Sequence, residues 1–366
     1  MHLIMTLLYT ALLLLAGPTP AEAQQQELTI VSWGGAYSRA QLRAYHQPYT
    51  AMTGVNIIND DGAVQSVARL RAMNETGNIT WDVVDIVASD AIRLCDEGLA
   101  LTINADQQLQ AAPDGTPASA DFGDKLVSDC LIPQLVYSTA FGYRTDLVGD
   151  KPPSKICDVF DLETWPGRRA LAKYPMNNME WALLCDGVAK DDLYKVLATG
   201  AGQERALAKL DSIKPHVIWW TAGSDTPQLL ADGEIVIGSG YNGRLFSVIE
   251  EEQQPVAILW DAQVLDFGGW IIPAGLGKER TQRALDFVRF SNGAQRMADI
   301  SKYISYAPVR NSALPLVGKH ADLGINMAPH MPTTPENARN VIVYNYEFWS
   351  DHRDDIEERF HVWLAK

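Results

Sequence analysis

The sequence predicts an α/β fold in two lobes, each a mostly parallel sheet flanked by helices. Three observations carry this expectation. Residues 28–97 alternate short β-branched runs with helical patterns, the β-α-β-α-β-α rhythm that builds a parallel sheet covered on both faces. A second set of short apolar runs, Ala170–Lys173, Val217–Trp220 and Ile235–Ile237, alternates with helical patterns in mid-chain. The last of these runs is bounded by glycines and reads as a buried parallel strand. Gly238 and Gly240 then turn the backbone sharply, and Tyr241 and Arg244 stand where the next helix begins. Ligands of open α/β sheets bind outside the carboxyl ends of strands, so both side chains are in place to meet one.

In chain order, Leu3–Ala16 is an apolar core followed by Ala21-Glu22-Ala23, and residues 1–23 read as a cleaved secretory signal peptide. No later apolar run reaches the roughly 18 residues of a membrane span. The mature protein is expected in the periplasm. Leu28–Ser32 alternates as a strand. Trp33-Gly-Gly-Ala-Tyr37-Ser38 follows as a strand-to-helix turn, with Ser38 the N-cap of a helix to about Thr53 and Gly54 its stop. Val55–Asn59 and Val83–Val87 are strands; Val64–Asn74 and Ala91–Glu97 are helices, with Asp90 an N-cap at the start of the latter. Gln107–Asp124 reads as a surface loop and Leu131–Thr145 as two short strands, with the first crossing between lobes near Val136–Gly142.

Helices are expected at Glu180–Cys185, Lys190–Leu197 and Gln203–Lys214. The return crossing falls near Ala257–Asp266, and Gly268–Pro273 re-enters the first lobe's sheet as a strand. From Arg280 the chain is mostly helical, interrupted by a loop at Tyr306–Asn311 and a Pro-rich strap at Ala328–Pro335. These boundaries divide the mature chain into 24–137 (first lobe), 138–260 (second lobe) and 261–366 (first lobe again, with the C-terminal helices).

The net charge of −15 argues against nucleic acid or an anionic membrane surface as partner. Cys95, Cys130, Cys157 and Cys185 permit three pairings in an oxidising compartment. Cys95–Cys130 and Cys157–Cys185 are favoured because each stays within one lobe, and no two cysteines have the close spacing of a zinc site. No Gly-x-Ser-x-Gly, His-Glu-x-x-His, Walker A loop or complete dinucleotide fingerprint occurs, so no metal, cofactor or catalysis is expected. What recurs instead is aromatic and charged residues at strand ends: Trp33, Tyr37, Asp90, Trp219, Trp220, Tyr241, Arg244, Asp266, Trp270 and Tyr306. A Trp at a strand end is more often core than site. Arg244 in a first helical turn opposes the helix dipole and calls for an acidic partner or an anionic ligand. Asp266, in a strand expected to be buried, needs a partner too.

The leader, Trp33-x-x-x-Tyr37, Asp82-Val-Val-x-x-x-Ala-Ser89, Gly233-Glu-Ile-Val-Ile, Tyr241-x-Gly243 and Trp270-x-x-Pro273 together resemble the periplasmic solute-binding proteins of ABC importers. The order and spacing of these motifs are closest to the putrescine- and spermidine-binding type. The resemblance implies the type II two-lobe fold, a monomer that closes around one small solute and delivers it to a permease in the inner membrane. It implies a ligand role for Trp33, Tyr37, Ser89, Trp220, Tyr241 and Tyr306. The acidic residues expected near Arg244 and Gly268 are missing, and Asp266 lies two residues before Gly268 on the same strand face.

That charge swap shifts the expected ligand. An ammonium placed 4 Å from Arg244 at an effective dielectric of about 20 would meet roughly 4 kcal/mol of repulsion, about a thousandfold in affinity. Arg instead offers a planar fork suited to a carboxylate. With Asp266, or Asp90 as second choice, at the other end, the pocket suits an ω-amino acid such as γ-aminobutyrate. The alternatives are a polyamine binder in which Arg244 pairs with Glu250 or Glu251, a binder of small carboxylic acids, an exported enzyme and an iron-binding relative. No nucleophile–base–orienter set supports the enzyme, and no tyrosine pair backed by His or carboxylates supports iron.

Overall fold

The computed structural model describes residues 26–366, so the leader expected at 1–23 lies outside the described residues. Ten strands form one sheet: β1 (Glu27–Val31), β2 (Asn56–Asp60), β3 (Val83–Val87), β4 (Ile132–Arg144), β5 (Arg169–Ala172), β6 (Val217–Trp220), β7 (Ile237–Tyr241), β8 (Val256–Ile271), β9 (Ala307–Pro308) and β10 (Ile342–Val343). The order is β2-β1-β3-β8-β4-β7-β5-β6, with β9 added to β4 and β10 to β8. Within each half the outer strands are parallel, as the alternation predicts.

The strands that make the crossings depart from expectation. Leu131–Thr145 is not two short strands: β4 is a single 13-residue strand, and β8 runs unbroken for 16 residues through the segment expected to begin at Gly268. Both lie antiparallel to their neighbours along the main sheet, and only the two-residue β10 joins β8 in parallel. The first part of β4 pairs with the end of β8 in one half of the sheet, where Ile132 faces Trp270. Its last part faces the start of β8 in the other half, where Tyr143 meets Ala257. Each crossing is therefore a strand shared by both lobes. The strands stay continuous although both carry polar residues, because Gln134, Ser138, Thr139 and Gln263 are buried within them and do not break the ladder as an exposed turn would. The register breaks between Thr139 and Phe141, opposite Leu259–Val264, where Ala262 adopts φ +52° and donates its N–H to Asn340.

Two smaller local features also differ from the sequence expectation. The first helix starts at Gly35 rather than after Ser38, and continues through a π-turn at Leu42–His46 to Gly54. Ser38 Oγ still serves the helix start by accepting from the Gly34 N–H at 2.8 Å. Gly238 and Gly240 are strand residues, not a turn. A Cβ at Gly238 would sit 2.6 Å from Ile235 Cδ1 and 2.8 Å from Thr226 Cγ2, so glycine lets neighbouring layers close on the strand.

Each half of the sheet is covered on both faces. Leu28, Tyr45, Trp270 and Phe287 fill one face of the first half, and Val31, Trp81, Ile86 and Ile271 the other. Phe141, Leu171, Trp181 and Ile237 fill one face of the second, and Ala170, Trp220, Leu230 and Leu245 the other. The C-terminal helix Tyr346–Leu364, grouped by chain order with the first lobe, buries Trp349, Ile356, Phe360 and Trp363 in the second lobe's core. These positions share one helical face, and full burial of such side chains contributes about 1.5–3 kcal/mol each. Trp349 Nε1 donates to the buried Glu180 at 2.7 Å, fixing the docking. The disulfides are Cys95–Cys130 and Cys157–Cys185, one in each lobe, as expected.

Candidate ligand-binding cleft

Between the lobes lies a cavity of roughly 210 Å³, below the range of drug-sized sites. Loops after β1, β3, β5, β6 and β7 deliver its walls, and β4 and β8 form its floor. Trp33, Tyr37, Ser89, Asp90, Tyr241, Arg244, Asp266 and Tyr306 all line it. Eight of the nine expected side chains thus come together, most of them at or just after strand ends, Asp266 from within β8 and Tyr306 from just before β9. Trp220 is the exception. It is 3 % exposed and lies behind the wall, edge-on to Tyr174 and Tyr241, with Nε1 donating to Ser239. Successive side chains of a strand face opposite ways, and the end of β6 turns Trp220 inward. The neighbouring Trp219 packs on Phe360 and Trp363, and Trp270 is wholly core.

Arg244 occupies one end. It sits in the short helix Asn242–Phe246, is 6 % exposed, and donates from Nη2 to the Trp33 carbonyl at 3.0 Å. Its guanidinium threads between glycines of the two lobes: a Cβ on Gly35 would lie 2.6 Å from Nη1, and one on Gly223 would lie 2.9 Å from Nε. Nε is buried without a hydrogen-bond partner among the described residues, and no carboxylate among them meets this cation. Glu250 and Glu251, the alternative partners, lie beside His330 and His320 instead. A buried charged donor left open is costly unless something polar arrives to take it.

The aromatic arc continues from there. Tyr37 and Tyr306 meet edge-on at 5.5 Å, Tyr306 and Tyr137 at 6.1 Å, and Tyr137 and Tyr241 at 5.6 Å. Tyr241 OH lies 3.0 Å from Tyr174 OH. These rings present apolar faces for a hydrocarbon chain, while the Tyr37 and Tyr137 hydroxyls are taken up by Asp85 and Asp266.

Three carboxylates line the remainder, and their environments differ. Asp85 is fully enclosed: Trp33 Nε1 donates to Oδ1 at 3.0 Å, and Gln41 Nε2 to Oδ2 at 2.5 Å. The Tyr37 hydroxyl lies 2.5 Å from Oδ2 and 2.7 Å from Gln134 Oε1. One phenolic proton cannot serve both acceptors at once, and burial pushes the Asp85 pKa up to about 7. Asp266 is half-buried, accepts from Tyr137 OH and the Phe267 N–H, and is raised to about 7 by desolvation. No cation among the described residues forms an ion pair with it. Asp90 is not the N-cap, since the helix begins at Ala88; it pairs with Arg353 at 2.6 Å.

Sequence reasoning missed Tyr137, Tyr174, Asn177 and Arg353, which also line the cavity. Asn177 has φ +69°, a left-handed conformation unusual outside glycine, and its buried Oδ1 has no partner among the described residues. The signal available was the segment after β5, Tyr174-Pro-Met-Asn-Asn178, at a strand end like the others.

A family model for bacterial extracellular solute-binding proteins matches residues 44–333. The gamma-aminobutyric acid-binding protein of Pseudomonas aeruginosa is 34% identical over 352 residues, covering 96% of this chain and 95% of that protein. Among solved structures, the Atu4243-GABA receptor matches with a TM-score of 0.78 and 29% identity, over 93% of this chain and 98% of that one. The binding protein MotA of A. tumefaciens, solved in complex with glucopine, matches at 0.81 and 26% identity, over 93% of this chain and 100% of that one. The spermidine/putrescine-binding PotD of Streptococcus pneumoniae, at 0.65 and 16% identity over 93% of this chain and 100% of its own, shares the fold alone. With that two-lobe architecture and matches spanning most of its length, the chain belongs to the bacterial extracellular solute-binding proteins.

Proposed function

We propose that this protein is the periplasmic binding component of an ABC importer and captures a short ω-amino acid, γ-aminobutyrate or a close homologue, by lobe closure. The observation that carries the reading is the polarity of the cleft. A buried Arg244 with an open Nε stands at one end, and Asp266, with no cationic partner among the described residues, stands beyond an arc of tyrosines. A carboxylate at the first and an ammonium at the second satisfy both groups at once, and the methylenes between them cover the rings. The small cavity suits a ligand of this length. The binding reported in the names of the Pseudomonas aeruginosa relative and the Atu4243 receptor supports the same choice. The liganded protein acts as a monomer, after removal of its leader, and hands the solute to an inner-membrane permease.

A polyamine has no anion for Arg244 and would place like charge beside it. Titration calorimetry with γ-aminobutyrate, putrescine, spermidine and succinate tests the assignment. The reading requires γ-aminobutyrate to bind most tightly. Tight putrescine or spermidine binding with no response to γ-aminobutyrate would return the protein to the polyamine branch, and a preference for succinate would make it a carboxylic acid binder.

A further inference from the structure

Arg353 has no role in the ligand contacts described so far, yet it reaches the cleft from the C-terminal helix. Its Nη1 donates to Asp90 Oδ1 at 2.6 Å, and its Nε donates to Glu357, one turn along the same helix and outside the cavity, at 3.0 Å. The helix is anchored in the second lobe's core, whereas Asp90 belongs to the first-lobe helix Ala88–Asp96. A second pair, Arg93 to Asp354 at 2.9 Å, joins the same two helices. Arg353 is thus a cation of one lobe held against a carboxylate of the other, inside the wall of the binding site.

The consequence is a charge count. Of the three carboxylates at the cavity, Asp85 is closed off by Trp33, Tyr37 and Gln41, and Asp90 is matched by Arg353. Among the described residues, only Asp266 is left facing the cleft without a positive partner. Asp90 is near enough to Asp266 for its charge to be felt there, so an unmatched Asp90 would leave two carboxylates at that end with no cation of the protein to compensate them. Such a pair favours a ligand with a second ammonium, which holds both carboxylates ionised, as a diamine does.

We propose that Arg353 is a specificity-determining residue: by neutralising Asp90 it leaves one carboxylate for one ammonium, and so excludes diamines in favour of monoamino acids. This rests on the reading of the cleft as an amino acid site. Arg353 touches no ligand in this scheme; it acts through Asp90.

Calorimetry on Arg353→Gln, Asp90→Asn and the double variant, with γ-aminobutyrate, putrescine and succinate as probes, tests it. Arg353→Gln should raise the affinity for putrescine relative to γ-aminobutyrate at least about tenfold, the effect of roughly 1.4 kcal/mol of unmatched charge. Asp90→Asn, which leaves the cation unmatched, should move preference the opposite way, towards succinate. The double variant restores the charge count and should return the putrescine ratio to within about threefold of wild type. A merely structural Arg353 predicts weaker binding of all three probes with no change in ratio, and no rescue by Asp90→Asn. That result overturns the proposal. If Arg353→Gln does not fold, the Asp90→Asn shift decides alone: present supports it, absent overturns it. A wild type that does not bind γ-aminobutyrate fails the earlier reading, whereas unshifted ratios in a wild type that binds it fail this one.

Discussion

Arg244 Nη2 donates to the carbonyl of Trp33 at 3.0 Å, joining the helix after the second lobe's glycine strand to the turn after the first strand of the chain. The bond exists only when the lobes are together. Arg244 is therefore both the candidate anion receptor and a closure contact, with Nη2 spent on the opposite lobe and Nε left for the ligand. A ligand carboxylate at Nε would favour the same guanidinium position that closure requires, so binding and closing draw on one side chain.

Removing that side chain should be costly. Arg244→Ala would bury a ligand carboxylate unpaired, and losing one partner of a buried charge pair costs about 2–5 kcal/mol. Calorimetry with γ-aminobutyrate should show a weakening of at least about thirtyfold. Arg244→Lys should not recover it, because a point charge replaces the fork that spans the Trp33 carbonyl and the cleft together. A dissociation constant for Arg244→Ala within about threefold of wild type, under roughly 0.7 kcal/mol, would mean that Arg244 is structural.

Asp266 gives a pH prediction with two opposite signs. Its pKa is raised from the ordinary carboxylate range to about 7, so in the free protein it holds a proton that the unfolded chain would release. That contribution to stability is complete below about pH 4 and is lost as pH rises towards 7. Ligand binding runs the other way, since an ammonium needs the carboxylate. Affinity for γ-aminobutyrate should rise from about pH 5 to 7 and level off above about 7.5, and Asp266→Asn should abolish this rise. The stability gained by Asp266→Asn relative to wild type should grow over the same interval. Melting curves and calorimetry from about pH 5 to 8 on both proteins check the two signs. A pH-independent affinity in wild type would remove Asp266 from ammonium recognition.

How far the site is legible in the sequence follows from where each side chain gets its direction. Trp33, Tyr37 and Arg244 owe their placement to following a strand and Tyr241 to ending one, and the β-branched runs Leu28–Ser32 and Ile235–Ile237 are readable in the sequence. Trp220 follows a strand too, but the side-chain alternation at the end of β6 turns it behind Tyr241, and a shift of one residue in register would turn it the other way. Asp85 sits inside a strand whose bounds the sequence predicts correctly, yet its closure by Gln41 and Tyr37 depends on residues 44 and 48 positions away. Arg353 is out of reach of such reasoning. Its surroundings, Asp351-His-Arg-Asp-Asp355, read as a solvated helix face, and only docking of Trp349 and Phe360 on the second lobe aims it at the cleft. The glycines of β7 suggest a turn in the sequence and form a strand in the fold, because a missing Cβ serves close packing as well as it serves a bend.

The closing motion has its own structural basis. Two long strands connect the lobes, and their pairing breaks at Thr139–Phe141 opposite Ala262, which supplies a point where the sheet can flex without losing its ladder on either side. Hinged closure is part of the established repertoire of two-lobe binding proteins. Neither disulfide spans the break: Cys95–Cys130 closes a separation of 35 residues before β4 begins, and Cys157–Cys185 one of 28 residues between β4 and β6. Each should contribute about 3–4 kcal/mol to stability through loop closure in the unfolded chain. Replacing either pair by serine should therefore lower the melting temperature while leaving closure intact. Small-angle scattering should give a smaller radius of gyration with saturating γ-aminobutyrate in wild type and in both double-serine variants. A radius unchanged by a ligand that demonstrably binds would rule out the moving hinge. A decrease seen in wild type but lost in one serine variant would mean that the disulfide shapes the hinge and does more than brace its own lobe.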